Sequence, residues 1–138
     1  VFVNDEIKFD EILQIDNPPQ LINYQSSSQT VVQFDEAKQS QWLMPEVYQN
    51  MDIAKYILDQ CSSDEELQRA GQELLLFQER GMFVLLQYVK YLVDTMRKHN
   101  IVWGVGRGSS VASYVLFLLG VHRINSLYYD LPIEEFLK

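Results

Sequence analysis

The chain has 138 residues, a formal charge of −8 and a pI near 4.6, with 47% hydrophobic and 22% charged residues. This arithmetic suits one globular domain or a piece of a larger one, and excludes a disordered or collagen-like chain. Nineteen acidic against eleven basic residues leave no basic footprint for duplex phosphates, so binding to duplex DNA is expected to be weak at best.

One cysteine, Cys61, can close no intrachain disulfide and supply no zinc cluster, which points to a reducing, cytoplasmic compartment and an ordinary helix position. The apolar stretches Met82 to Val89 and Val111 to Val121 fall short of the roughly 18 residues that span a bilayer, so no membrane role is expected. Charge is uneven along the chain: residues 1–66 sum to −10 and residues 67–138 to +2. The acidic part favours a protein partner, another chain or a second copy, over a template strand. Val1 opens directly into apolar-polar alternation, which reads as a trimmed or internal piece.

Residues 1–62 read as an acidic, loop-rich segment with one short helix. Asp16-Asn17-Pro18-Pro19 and Ser26-Ser27-Ser28 make Gln14 to Met44 largely irregular, with at most short strands at Leu21 to Tyr24 and Thr30 to Phe34. Ile53, Tyr56, Ile57 and Leu58 carry helical spacing over Met51 to Gln60, where Tyr56 is read as partly buried rather than as a base-stacking platform. Residues 63–138 are more regular. Ser63 followed by Glu66 fits a capping box, so a helix is expected over Ser63 to Arg80, with Leu67, Ala70, Leu74 and Leu75 inward and Arg69 outward. Gly81 breaks it. From Met82 to Lys98 the polar residues Gln87, Lys90, Asp94, Arg97 and Lys98 form a narrow water-facing stripe on a central helix.

Ile101 to Trp103 then reads as a buried strand, Gly104 to Gly108 as a turn, and Ser109 to Leu119 as a helix. The expected fold is α+β, mainly helical, with several packed helices, a very small sheet and this strand, glycine turn and helix. Burying the strand would require the N-terminal segment, a second copy or another chain. A glycine turn at a helix start can cradle a phosphate on backbone N–H groups, with Arg107 adding a fork of donors and Ser109 a hydroxyl. It can equally be a tight turn with Ser109 as a helix cap. The Lys of a Walker A loop is absent. His99 and His122 lack a third ligand or nucleophile at useful spacing and read as surface or capping residues.

Gly104-Val105-Gly106-Arg107-Gly108-Ser109-Ser110-Val111-Ala112-Ser113, followed by Leu119-Gly120-Val121, Tyr129-Asp130-Leu131 and Phe136-Leu137, resembles the palm segment of bacterial C-family replicative DNA polymerases, the DNA polymerase III alpha subunit. The lead-in, with Glu73-Leu74, Gly81-Met82-Phe83 and Asn100-Ile101, is similar too. The resemblance runs from about Leu67 to Lys138; the family's metal-binding histidine motifs are absent before it. It implies that Gly106, Arg107, Gly108, Ser109 and Ser113 contact the triphosphate of an incoming nucleotide. Val105 stands where the family has proline, and Asn125-Ser126 where it has Asp-Pro.

The family's paired catalytic aspartates would follow Lys138, so no catalytic residue and no metal ligand is assigned here. Asp130, Glu134 and Glu135 belong to the run before those aspartates. Magnesium is expected only if a partner chain supplies the carboxylates. The resemblance therefore implies a catalytically incomplete palm-like module that is no enzyme on its own: a DNA replication-related fragment or split-polymerase subunit of a bacterial or phage-infected cell, with a residual triphosphate-binding turn. The alternative is a non-catalytic protein-binding or assembly module of a replisome or virus particle. If the turn is only architectural, Arg107 is expected to pair with a carboxylate such as Glu73 or Glu135.

Overall fold

The computed structural model describes residues 25–104 and 108–137 in full, and the backbone at 2–3 and 22–23. The chain forms two compact units, Val1–Gln41 and Trp42–Lys138. In the first, β1 (Phe2–Val3) and β2 (Ile22–Asn23) pair in parallel over two residues each. α1 (Val31–Gln39) begins where a strand over Thr30 to Phe34 was expected. A full capping box decides it: Thr30 Oγ1 accepts from Gln33 N at 3.2 Å, and Gln33 Oε1 accepts from Thr30 N at 3.1 Å. No residue of α1 is buried.

The second unit comprises α2 (Glu46–Gln49), α3 (Ile53–Leu58), α4 (Asp64–Glu79), α5 (Phe83–Lys98), a 3₁₀ turn at Ser109–Ala112, α6 (Tyr114–Leu118) and a second 3₁₀ turn at Ile133–Glu135. The α+β expectation is overturned. This unit has no strand among the described residues, and the two-residue pairing in the first unit is too short to serve as a layer for helices. Ile101 to Trp103 is irregular, with Val102 95% exposed. An isolated three-residue apolar run has no ladder to join, and the unpaired edge that called for a partner strand disappears with it.

α4 starts as its cap requires: Ser63 Oγ accepts from Glu66 N at 3.2 Å, and the Glu66 carboxylate reaches back to Ser62 N at 2.6 Å. Asp64, Glu65 and Glu66 in its first turn complement the positive helix end. It stops at a Schellman turn, with Gly81 at φ 64° and Met82 N donating to the Phe77 carbonyl at 2.9 Å. The same closure ends α5, with Asn100 at φ 55° and Ile101 N donating to Met96 O at 2.9 Å.

Ala70, Glu73, Leu74 and Phe77 form the buried row of α4, at the spacing of one helix face. Leu67 and Leu75, expected inside, are exposed: Leu75 lies across the helix from that row, and Leu67 sits in the first helical turn, before the row begins. Nor does the polar stripe of α5 face water throughout. Lys90 is buried, pairs with Asp94 and lies 4.9 Å from the half-buried Tyr56 ring; Tyr48 donates to Asp94 at 3.0 Å, and Gln87 donates to the Met51 carbonyl at 2.9 Å. α2 and the start of α3 cover this part of α5.

Candidate functional site

The expected single helix from Ser109 to Leu119 is two pieces, broken at Ser113. That residue is extended (φ −82°, ψ 118°) and caps α6 by accepting from Leu116 N at 3.1 Å. The break is made by Glu73. Its fully buried carboxylate accepts from Ser113 Oγ at 2.8 Å, Tyr114 N at 2.8 Å and Val115 N at 3.0 Å. These N–H groups belong to the first turn of α6, so the chain's own carboxylate fills the position an anion takes at a helix start. Ser113 completes the cap from the other side of the same turn.

Arg69, one turn earlier on α4, locks the carboxylate in place. Its Nε donates to Glu73 Oε1 at 2.6 Å, while Nη2 donates to the carbonyls of Ala112 and Leu131, each at 2.8 Å. One guanidinium thus joins α4, the 3₁₀ turn and the C-terminal segment. Tyr114, also buried, donates its hydroxyl to Glu66. Burial and that carboxylate push the phenol up, while hydrogen bonds from Ser62 N and Tyr114 hold Glu66 low.

His122 is buried rather than a surface residue. Nδ1 accepts from Ile124 N at 3.3 Å, which leaves the proton on Nε2 to donate to the Ser113 carbonyl at 3.1 Å. Burial lowers its pKa, against smaller raising effects from backbone carbonyls and from Glu73, the acidic group facing it. Because the folded pKa lies below the ordinary value near 6.5, the unfolded chain binds the proton first. Stability should therefore be full above about pH 6.5 and fall as pH drops through and below it. Melting curves at pH 8 and 5.5 should show that loss, and His122→Gln should flatten it; an unchanged slope would refute the assignment to His122.

Of the residues assigned by resemblance, Gly106 and Arg107 lie outside the described residues, so pairing of Arg107 with Glu73 or Glu135 lies outside them too. Gly108 takes φ 117°, a region that favours glycine. Ser109 opens the 3₁₀ turn exposed, and its hydroxyl makes no hydrogen bond among the described residues. Ser113 is buried, its hydroxyl engaged with Glu73 and Leu116.

Asn125, in place of the family's Asp, still acts as an acceptor: Oδ1 takes Leu127 N and Tyr128 N at 3.0 Å each. Ser126, where the family has proline, is buried, and its hydroxyl has no hydrogen-bond partner among the described residues. No group of three or more His, Cys, Asp or Glu among the described residues could hold a metal ion; Asp130, Glu134 and Glu135 are all exposed. The described residues do not fit a magnesium pair. No helix among them is long and apolar enough to cross a membrane.

From the sequence, Arg69 was expected outward and Glu73 only as a partner for Arg107, so the pairing of the two with each other and with residues 112–115 was missed. The signal that could have found them is a charged residue in the apolar row Ala70, Leu74, Phe77, with an arginine four positions before it.

Comparison with known proteins bears on the same segment. The chain is 34% identical over 74 residues to the DNA polymerase III subunit alpha of Thermotoga maritima, covering 54% of this chain and 9% of that protein. It is 36% identical over 73 residues to the DNA polymerase III subunit alpha of Halalkalibacterium halodurans, covering 53% and 6%. It is 33% identical over 79 residues to the error-prone DNA polymerase of Cutibacterium acnes, covering 56% and 7%. The chain thus spans less than a tenth of the length of these relatives. No solved structure matches. Residues 41–138, which take in α2 to α6 and the whole Glu73 network, match the family described as the bacterial DNA polymerase III alpha NTPase domain, and the chain belongs to that family.

Proposed function

We propose that the chain is a catalytically incomplete, palm-like module of a replicative DNA polymerase, acting in the cytoplasm, whose turn Gly106 to Ser109 holds the triphosphate of a nucleotide. Paired aspartates and magnesium then come from another polypeptide or segment. The observation that supports this reading is the Glu73 lock on Ser113 to Val115: it fixes the backbone after the turn while leaving Ser109 exposed, with its hydroxyl free of hydrogen bonds among the described residues. Ser113 contributes by shaping the turn from inside, since its hydroxyl is engaged.

The test is primer extension with the purified 138-residue chain and magnesium, paired with calorimetry of a deoxynucleoside triphosphate. No nucleotide should be incorporated, and weak triphosphate binding should be lost in Arg107→Ala with little change in melting. Incorporation would overturn the proposed incompleteness, and absent binding would overturn the turn's role. In that second case the alternative of a non-catalytic protein-binding or assembly module stands, favoured by Leu43 and Val47, which are 88% and 72% exposed.

A further inference from the structure

The end of α5 and residues 101–103 and 123 border an open depression of about 280 Å³, lined by Arg97, Asn100, Ile101, Val102, Trp103 and Arg123. Among the described residues its lining holds two guanidiniums, an amide and an indole, and no carboxylate. Arg97 is held in place by an aromatic ring and a carboxylate. Its guanidinium lies 5.7 Å from the Trp103 ring, whose Nε1 donates to the Gly120 carbonyl at 2.9 Å. Gly120, at φ 81°, leaves the space the guanidinium takes; a Cβ there would collide with it. Asp94 Oδ1 pairs with it at 3.9 Å, while Lys90 and Tyr48 engage the other oxygen, Oδ2, so Lys90, Asp94 and Arg97 together keep a net positive charge. Arg123 is exposed and has no carboxylate partner among the described residues, while its backbone is fixed by the His122 ring, which takes Ile124 N.

We infer that this depression binds the phosphate group of a nucleotide between Arg97 and Arg123. A carboxylate satisfies one guanidinium fork, whereas a phosphate dianion offers three terminal oxygens and enough charge for two. Asn100, exposed at the rim, adds an amide donor. The exposed side chains of Ile101 and Val102 give a sugar or base an apolar surface to lie on, which favours an organic phosphate over the bare ion. The site uses none of Gly106 to Ser109, so it goes beyond the function proposed above.

Calorimetry of the purified chain with adenosine 5′-monophosphate, inorganic phosphate and a short oligothymidylate tests it. The monophosphate should bind, inorganic phosphate should bind several-fold more weakly, and Arg97→Gln and Arg123→Gln should each weaken binding about tenfold or more. Arg107→Ala should leave binding intact, which separates this site from the glycine turn. Arg123→Gln should melt like the parent chain and carries the test if Arg97→Gln disturbs the packing on Trp103. The inference is overturned if the monophosphate does not bind, if Arg123→Gln binds it normally, or if only Arg107→Ala abolishes binding. Equal affinity for inorganic phosphate, or tighter binding of the oligothymidylate, would equally refute a nucleotide site.

Discussion

Replacing Glu73 by leucine should lower the unfolding free energy by about 3–5 kcal/mol, a large part of the roughly 5–15 kcal/mol available to a domain. The change leaves the partly buried Arg69 guanidinium without its counter-charge and orphans Ser113 Oγ and the N–H groups of Tyr114 and Val115. Simple ion-pair logic would expect a double apolar replacement of Arg69 and Glu73 to recover the loss. Here it should not, because most of the partners are backbone groups that remain in place, including the carbonyls of Ala112 and Leu131. Urea unfolding of Glu73→Leu and of the double variant measures both points. A loss below about 1 kcal/mol for the single variant, or full recovery in the double, would show that the network contributes little to stability.

Phe77→Ala should cost a comparable ~3–5 kcal/mol, through a different mechanism. Phe77 is 1% exposed and follows Glu73 by one helical turn. Its ring meets Phe136 at 6.3 Å between centroids and 54° between planes, so truncation empties a buried volume and also strips Phe136 of its aromatic neighbour. The conservative Phe77→Leu should cost only about 1–1.5 kcal/mol, since most of the volume stays filled. Denaturant midpoints for the two variants give the comparison; equal losses would mean that aromatic geometry, not volume, governs this contact. Since Glu73 and Phe77 act one turn apart on the same face of α4, their double variant should depart from additivity.

Much of the helical framework was legible because its signals are local. Ser63 with Glu66 marked the start of α4 and Gly81 its end, and the spacing over Met82 to Lys98 marked α5. Thr30 to Phe34 was expected as at most a short strand because its apolar run is brief and flanked by turn formers, and the Thr30 and Gln33 capping pair went unread. The interruption at Ser113 was not legible, since it is imposed by a carboxylate 40 residues earlier in the chain. His122 was read as a surface or capping residue because its burial rests on the Ser113 carbonyl, nine residues away and outside any local pattern. The strand expected over Ile101 to Trp103 failed because three apolar residues cannot reveal whether a neighbouring strand exists. The order Gly106, Arg107, Gly108, Ser109 and Ser113 carried the triphosphate assignment, and it gave no sign that Ser109 is exposed while Ser113 is buried against Glu73.

The Glu73 contacts also bear on the order in which the chain can fold. Arg69 lies on the same helix, so this pair can assemble as soon as α4 forms. Residues 113–115 arrive only after a loop of 40 to 42 residues closes, an entropic cost of about 3 kcal/mol before fixed terms. The early local pair presets the aim of the carboxylate, so the late encounter needs to order fewer side-chain torsions. A nascent chain that has released α4 and α5 from the ribosome but not yet residues 112–131 therefore carries a half-built lock, and α6, at five residues too short to hold a helix alone, takes shape only when it reaches that waiting carboxylate.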